Sequence, residues 1–161
     1  MIDKFIGDGV MAVFGVRHPG FDDARNAVFA GLALVSAISR WGERRVAQGL
    51  TPVRIGVGIH YGEVIAGAIG DDRLEYRVIG DTVNVAARIE QLTVVLGESL
   101  LVSGDVLAAS PGMQNDLDLE ELPTRSPAGK SRPTRLYRSR HTAQIAVAAT
   151  RSKASHAPHE G

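Results

Sequence analysis

Apolar residues recur along the chain at two spacings, and the change from one to the other predicts both strands and helices. Between residues 1 and 14, two short apolar runs flank Gly7-Asp8-Gly9, a sequence typical of a β-hairpin turn. Residues 53–59, 63–69 and 74–79 are short runs of largely apolar or β-branched residues, which predicts three more strands. The pattern indicates an N-terminal hairpin followed by mixed helices and strands.

A long helix is predicted between the hairpin and the next strand. Asp22 and Asp23 open it, and Gly49 and Pro52 are stop signals after about residue 48. The apolar stripe at helical spacing consists of Ala27, Gly31, Leu34, Ile38 and Trp41. We expect this stripe to face the core, with Trp41 at the end of the buried face.

Residues 76–88 predict a strand end, a tight turn and the start of a second helix. Gly80 can adopt backbone conformations closed to other residues, and Asp81 is a suitable N-cap for a helix that begins at Thr82. Asn84 and Arg88 lie four residues apart and therefore share one helix face. The neighbouring apolar stripe that would pack on a sheet is Val85, Ile89, Leu92 and Leu96.

The face that carries Asn84 and Arg88 is the first candidate for chemistry. An amide and a guanidinium held at the edge of a sheet suit a ribose and a phosphate. For an arbitrary Asn/Arg pair, a solvated helix face is the plainer alternative.

The remaining elements are smaller. Residues 100–102 predict a short strand, Ser103 caps a small helix that runs through Ala109, and residues 116–122 and 134–137 predict a last pair of strands. The loop between those two strands is basic and contains Lys130. From residue 140 to residue 161 the apolar pattern gives way to Ala, Ser, Thr, His and Pro, which predicts a disordered tail.

Composition narrows the class of protein. The 161 residues are 44% hydrophobic, enough for one domain with a core, and their formal net charge of zero gives no indication of a nucleic-acid or membrane partner. There are no cysteines, which excludes disulfides and Cys-ligated zinc. The longest apolar run, residues 27–38, is too short to span a bilayer, and no signal peptide is apparent. We expect a soluble, cytoplasmic domain.

Two polar residues at turns have competing interpretations. Asp8 is either a simple hairpin-turn residue or, at a strand end, an oxygen ligand for a hard cation. His60 follows a predicted strand, has no second metal-type ligand at a useful spacing and is interpreted as structural.

Two motifs far apart in the chain become specific when they are taken together. Lys4-x-x-x-Asp8-Gly9 lies on the hairpin, and Gly80-Asp81-x-x-Asn84-x-x-x-Arg88 lies at a strand-to-helix junction, with residues 55–63 between them. Jointly they resemble the class III adenylate/guanylate cyclase catalytic domain over residues 1–139. The resemblance implies an α+β, ferredoxin-like fold in which an antiparallel sheet is covered by helices. It also implies a head-to-tail dimer with two composite sites.

The same resemblance implies a reaction and a set of roles. The family converts ATP or GTP into the 3′,5′-cyclic monophosphate and pyrophosphate with two magnesium or manganese ions. Asp8 resembles the second of two metal-binding aspartates, and Lys4 matches the adenine-contacting lysine of adenylate cyclases. Asn84 matches the residue that orients the ribose, and Arg88 the one that stabilises charge on the α-phosphate. Lys130 corresponds to a lysine that contacts the terminal phosphates.

The chain also departs from the family pattern. The first metal-binding aspartate of the family belongs to a strand-helix-helix-strand unit upstream of the lysine hairpin, and Asp3 is not expected to replace it. We therefore expect a partial domain with low activity, lacking a central strand and leaving Phe5, Val10 and Val13 uncovered. Arg77 stands where adenylate cyclases usually carry an aspartate or threonine that reads the adenine edge together with the lysine.

These features support one main prediction and two alternatives. The main prediction is an adenylate cyclase catalytic domain that binds ATP and acts as a homodimer or with another cyclase domain. The alternatives are a degenerate cyclase-like module that regulates a complete cyclase domain, and a guanylate cyclase. Lys4 favours ATP, because guanylyl cyclases generally have an acidic residue at that position.

Overall fold

The computed structural model describes residues 1–16, 18–69, 75–123 and 134–140, and it shows an α+β fold as expected. The first half of the chain contains β1 (Ile2–Ile6), β2 (Gly9–Ala12), α1 (Asp23–Ala47), β3 (Val57–Ile59), β4 (Ile65–Ile69) and β5 (Glu75–Ile79). The second half contains α2 (Asp81–Leu96), β6 (Leu100–Ser103), α3 (Gly104–Ala109), α4 (Met113–Asp116), β7 (Leu119–Glu121) and β8 (Leu136–Ser139).

The described strands form three sheets. β1 pairs with β2 and β4 with β5, both as antiparallel hairpins. The largest sheet has the order β3-β6-β8-β7. Its pairs are antiparallel except for β3 and β6, which run parallel with Val57 opposite Leu100. A parallel pair requires a crossover connection, and here the crossover contains α2.

Helices α1 and α2 cover opposite faces of β3, the edge strand of the large sheet. A Cβ added to Gly31 of α1 would lie 3.2 Å from Val57 and 3.0 Å from Ile59. A Cβ added to Gly58, the residue between them, would instead meet the backbone of α2. Because successive strand residues point to opposite faces, α1 packs on one face of β3 and α2 on the other.

The core lies between α1, the large sheet and the short C-terminal helices. Its buried residues are Ala24, Val28, Leu32, Val35, Ile59, Leu100, Val102, Val106, Met113, Leu117, Leu119 and Tyr137. Burying such a set of aliphatic side chains supplies the main favourable free energy of folding. Because β3 and β6 both belong to this packed region, the helix between them is held on a rigid support.

The predicted buried face of α1 is right in part, and its bounds are close to those observed: Gly31 is buried and Ala27 packs against the core, but other members of the stripe do not face it. The residues that face the core are Ala24, Val28, Gly31, Leu32, Val35, Ser36 and Gly42. Of the predicted stripe, Leu34 is exposed, and Trp41 is 42% exposed with the guanidinium of Arg45 5.3 Å from its ring centroid. The close contact at Gly31 sets the rotation of the helix, and it brings the side of Leu32 and Val35 onto the sheet.

Several predicted strands are shorter in the structure. Only Val57–Ile59 of the predicted 53–59 strand is paired, and the next strand begins at Ile65 rather than at residue 63. The last strand pair is Leu119–Glu121 with Leu136–Ser139, so Asp116 ends a short helix instead of starting a strand. The loop with Lys130 lies outside the described residues, as does the predicted 140–161 tail except for Arg140.

The N-terminal hairpin presents apolar side chains to solvent, as predicted for two of three residues. Phe5 is 79% exposed and Val10 is 47% exposed, whereas Val13 is half-buried. On its other side, β1 contacts β5. The hairpin therefore lies beside the strand that leads into α2.

Candidate functional site

The start of α2 is set by a glycine and a threonine. Gly80 has a φ of 152°, and an added Cβ would lie 3.3 Å from the carbonyl oxygen of Glu63. That same carbonyl accepts a 2.6 Å hydrogen bond from the Thr82 hydroxyl. The helix begins at Asp81 with Gly80 as its N-cap, so the predicted Asp81 cap is wrong by one residue. The segment around residue 63 thus holds the first turn of the helix.

Three glycines let α2 approach the sheet more closely than side chains would permit. An added Cβ at Gly58 would lie 2.7 Å from the carbonyl oxygen of Ala86, and one at Gly62 would lie 2.7 Å from the Thr82 hydroxyl. At Gly56 an added Cβ would overlap the buried Thr93. Glycine in a strand often marks such a close backbone approach. These contacts fix the position of α2 relative to β3.

Asn84 and Arg88 lie on an exposed part of this fixed helix. Both residues are exposed, whereas Ile89 and Thr93 of the same helix are buried. Within the described ranges neither Asn84 nor Arg88 has a hydrogen bond or an ion pair. An amide and a guanidinium that no described residue engages, on a rigid helix, are available to a ligand or to a second chain.

Asp8 and Lys4 both belong to the hairpin, but their surroundings differ. Asp8 is exposed in the turn between β1 and β2, where Gly7 has a φ of 60°. Lys4 is half-buried, and its Nζ lies 3.1 Å from Oδ2 of Asp3. The turn aspartate is thus open to solvent, while the lysine is held beside a second carboxylate.

The predicted residues form two groups in one chain. Lys4 and Asp8 are on the hairpin whose first strand contacts β5, and Arg77 is in β5 opposite Gly67. The end of β5 leads through Gly80 into the helix of Asn84 and Arg88. In the part of the chain that the structure describes, no hydrogen bond or ion pair joins the hairpin residues to Asn84 or Arg88.

His60 has the structural surroundings predicted for it. Its Nδ1 lies 2.8 Å from the hydroxyl of the buried Ser103 and 3.6 Å from a carboxylate oxygen of Asp105. Burial lowers the pKa of His60, and the nearby charges of Asp105 and Asp81 oppose that shift. Ser103 occupies the N-cap position of α3, but it makes no side-chain capping hydrogen bond there.

The carboxylates of the described residues do not assemble into a metal site within one chain. Among residues 1–16, 18–69, 75–123 and 134–140, no group of three or more His, Asp or Glu residues could hold a metal ion. Asp8 offers a single oxygen ligand of the kind that hard cations prefer. A metal held by Asp8 would need further ligands from a bound nucleotide or from other carboxylates.

Sequence reasoning set Asp3 aside, yet the structure buries its carboxylate next to Lys4. The sequence places Asp3 next to Lys4, but neighbouring residues on a regular strand point to opposite faces, so an ion pair between these two side chains was not predicted.

Comparisons with known proteins place these features in a family. Residues 3–122 match the family described as Adenylate and Guanylate cyclase catalytic domain. An adenylate cyclase of Anabaena cylindrica is 38% identical over 113 residues, covering 66% of this chain and 21% of that protein. Adenylate cyclase 1 of Rhizobium meliloti is 33% identical over 137 residues, covering 84% of this chain and 20% of that protein. The chain thus spans about a fifth of the length of these relatives.

Solved structures give the same fold. The guanylyl cyclase Cya2 superposes with a TM-score of 0.69 at 29% identity, covering 86% of this chain and 68% of that one. The guanylate cyclase domain of RhGC from Catenaria anguillulae, in complex with GTP, has a TM-score of 0.68 at 25% identity and covers 86% and 71%. No helix in the described part of the chain is long and apolar enough to cross a membrane.

Proposed function

The chain belongs to the adenylate and guanylate cyclase catalytic domain family, and on this premise we propose that it is an adenylate cyclase catalytic domain. It converts ATP into 3′,5′-cyclic AMP and pyrophosphate. The observation that carries the proposal is the exposed pair Asn84 and Arg88, which has no partner among the described residues and lies on a helix that close glycine contacts fix in place. Two relatives named adenylate cyclase, 38% and 33% identical, support adenine rather than guanine as the base.

The reaction needs a fixed ribose and a group that stabilises phosphoryl charge. The ribose 3′-oxygen attacks the α-phosphorus in line with the leaving pyrophosphate, so small errors in orientation are costly. In our proposal the Asn84 amide orients the ribose. The Arg88 guanidinium, which can engage two phosphoryl oxygens at once, stabilises the charge that develops on the α-phosphate.

Three further residues complete the proposed nucleotide contacts. Lys4 contacts the adenine base, and Arg77 from β5 contributes to the same pocket. Lys130, which lies outside the described residues, contacts the terminal phosphates in this proposal. The contact between β1 and β5 supports the first two assignments, because it places their strands side by side.

Membership of this family implies the use of divalent metal. We propose magnesium or manganese, with two ions in the complete site, and Asp8 as the protein ligand that this chain offers. The exposed turn carboxylate fits such a cation by its donor chemistry, although it supplies one ligand only. When bound, the metal would supply Lewis-acid stabilisation of phosphate oxygens.

The family also implies a dimer with a nucleotide substrate. We propose a head-to-tail homodimer, or a pair with another cyclase domain, in which Asn84 and Arg88 act on nucleotide held by the partner's hairpin. Two exposed isoleucines support a protein contact close to the start of the helix with Asn84 and Arg88. Ile65 and Ile79 lie opposite each other in the β4–β5 register, and they are 71% and 49% exposed. The proposal also includes a cytoplasmic location, no nucleic-acid partner and a domain that extends over residues 1–139.

Product analysis with the purified chain tests the proposal. The chain is incubated with ATP or GTP and with Mg²⁺ or Mn²⁺, and cyclic nucleotides are quantified by mass spectrometry. We expect cyclic AMP at a rate far below that of a complete cyclase, because Asp8 is not part of a three-ligand group in the described chain. Preferential cyclisation of GTP would indicate a guanylate cyclase instead, and rates equal to a complete enzyme would contradict the single-ligand argument.

The regulatory-module alternative predicts a different result. A module of that kind would form a complex with a complete cyclase domain and change its rate, and Asp8→Ala would leave that effect intact. The proposed enzyme instead loses its own cyclic AMP production in the Asp8→Ala variant.

A further inference from the structure

Asp3 is a buried carboxylate in an unusual position. Its side chain is 1% exposed, and neither carboxylate oxygen has a hydrogen-bond partner among the described residues. The neighbouring charge is the Lys4 ammonium, 3.1 Å from Oδ2, on a side chain that is 40% exposed. Burying a carboxylate is costly unless a cation compensates it. Lys4 therefore compensates Asp3, and the pair is asymmetric, with the acid inside and the base toward solvent.

A β-bulge brings the two side chains together. Ile2 lies opposite Ala12, and Lys4 lies opposite Met11. The chain therefore advances by two residues in β1 where it advances by one in β2. Asp3 is the extra residue, and a bulge of this kind re-aims a side chain. On a regular strand Asp3 and Lys4 would point to opposite faces. The irregularity is what allows the contact.

We propose that Asp3 is a positioning residue, which holds the Lys4 ammonium in one place so that it selects an adenine nucleotide. This inference rests on the proposed function. A lysine ammonium is a compact charge on a flexible four-carbon stem. A buried carboxylate fixed by the bulge restricts that stem and leaves the solvent-facing N–H donors for the acceptor nitrogens of the base. Without it, Lys4 would reach the acceptors of adenine and guanine alike.

The sequence makes a direct measurement of this lysine possible. The chain contains only three lysines, Lys4, Lys130 and Lys153, so acetylation by an N-hydroxysuccinimide ester can be followed residue by residue in the mass spectrum. Lys130 and Lys153 serve as internal references. We expect Lys4 to react about fivefold or more faster in Asp3→Asn than in the wild type, because the charge-assisted contact is lost.

Nucleotide specificity is measured on the same samples. In the wild type, ATP should protect Lys4 from acetylation at lower concentration than GTP, and in Asp3→Asn this difference should disappear. Where turnover is measurable, Asp3→Asn should raise KM for ATP about tenfold with little change in kcat, since the ion pair that restrains the lysine is removed. Asp3→Glu, which keeps the charge, should restore part of the preference.

Controls separate positioning from folding. Asp22→Asn removes an exposed carboxylate at the start of α1 and should leave Lys4 reactivity unchanged. Circular dichroism and thermal unfolding establish that each variant folds, and Asp3→Ser replaces Asp3→Asn if the latter does not.

The outcomes distinguish this inference from the proposed function. Unchanged Lys4 reactivity in a folded Asp3→Asn variant, or equal protection by ATP and GTP in the wild type, would overturn it. If ATP protects Lys4 selectively but no cyclic AMP forms, the cyclase proposal fails while the role of Asp3 stands. If cyclic AMP forms and the ATP preference survives the loss of the carboxylate, the proposed role of Asp3 fails while the cyclase proposal stands.

Discussion

Arg88 gives the sharpest test of the site at the scale of single residues. It is exposed and unpartnered within the described ranges, so Arg88→Ala should leave thermal stability nearly unchanged. If the guanidinium stabilises charge in the transition state, cyclic AMP production should fall by about 10²–10³. The measurement is the initial rate at saturating ATP, together with the unfolding temperature.

A matched control for Arg88 is available on the other helix. Arg44 is also an exposed arginine, located near the end of α1. Arg44→Ala removes the same charge and should retain the wild-type rate. An equal loss of activity in both variants would mean that net charge, and not the position of Arg88, controls the rate.

His60 makes stability depend on pH. Burial lowers its pKa below the ordinary value of 6.5, so the unfolded chain takes up a proton before the folded chain does. The stability of the wild type should therefore fall as pH drops from about 6.5 toward the pKa in the folded protein. His60→Gln should flatten this dependence in urea unfolding curves recorded between about pH 5 and pH 8.

The comparison variant for His60 is His18→Gln. His18 is exposed in the loop before α1, so the His18→Gln variant should show the same pH dependence of stability as the wild type. A His60→Gln variant with the same slope as the wild type would show that burial does not favour the neutral imidazole.

At the scale of elements, the contact between β3 and α2 is the support of the site. Gly58→Ala would place a Cβ 2.7 Å from the carbonyl oxygen of Ala86, against backbone that cannot rotate away. Overpacking of this kind typically costs about 1–3 kcal/mol. We expect a lower unfolding temperature and, because α2 must shift, a lower rate in the fraction that remains folded.

Gly67→Ala is the matched control for Gly58. Gly67 is also a strand glycine, but an added Cβ there would have nothing within 4 Å. It should be tolerated in both stability and rate. If Gly58→Ala unfolds at the wild-type temperature, the close approach of α2 to β3 is not required for stability.

The helices show how far sequence reasoning reaches for single elements. Capping and stop residues predicted the ends of α1 within about two residues, because these signals are local. Its buried face was predicted only in part, since residues 27–38 are nearly all apolar and permit more than one stripe. The contact of Gly31 with β3 and β6 decides between them, and that contact is not local.

At the candidate site, too, sequence reasoning predicted the local feature and not the contact that depends on strand pairing. The spacing of Asn84 and Arg88 indicated a shared helix face, because helical periodicity is local. The Asp3–Lys4 contact could not be predicted, because it depends on the extra residue in the β1–β2 pairing. The roles of the site residues stay predictions until variants are measured.

At the scale of the whole molecule, the proposed dimer places Asp8 and Arg88 of one site on different chains. Mixing equal amounts of Asp8→Ala and Arg88→Ala chains should then restore activity. In a head-to-tail pair, each mixed dimer has one site with both native residues and one site with neither. Random pairing therefore gives about a quarter of the wild-type rate.

A double variant provides the opposite control. When Asp8→Ala/Arg88→Ala chains are mixed into the wild type, every mixed dimer lacks one native residue in each site, so activity should fall. If the wild-type chains keep their activity in this mixture, and the two single variants do not restore activity to each other, both residues act within one chain.

The parallel pairing of β3 with β6 also affects the order in which the molecule forms. The hairpins β1–β2 and β4–β5 close short loops, whereas Val57 meets Leu100 only after the intervening hairpin and α2 have been enclosed. Non-local pairings of this type form slowly, because their loop-closure entropy is lost before the contacts are gained. We expect the hairpin with Lys4 and Asp8 to gain amide-exchange protection early in refolding, and the docking of α2 to come late. A nascent or partly unfolded chain would then present the turn with Asp8, the proposed metal ligand, before the helix with Asn84 and Arg88 is in place.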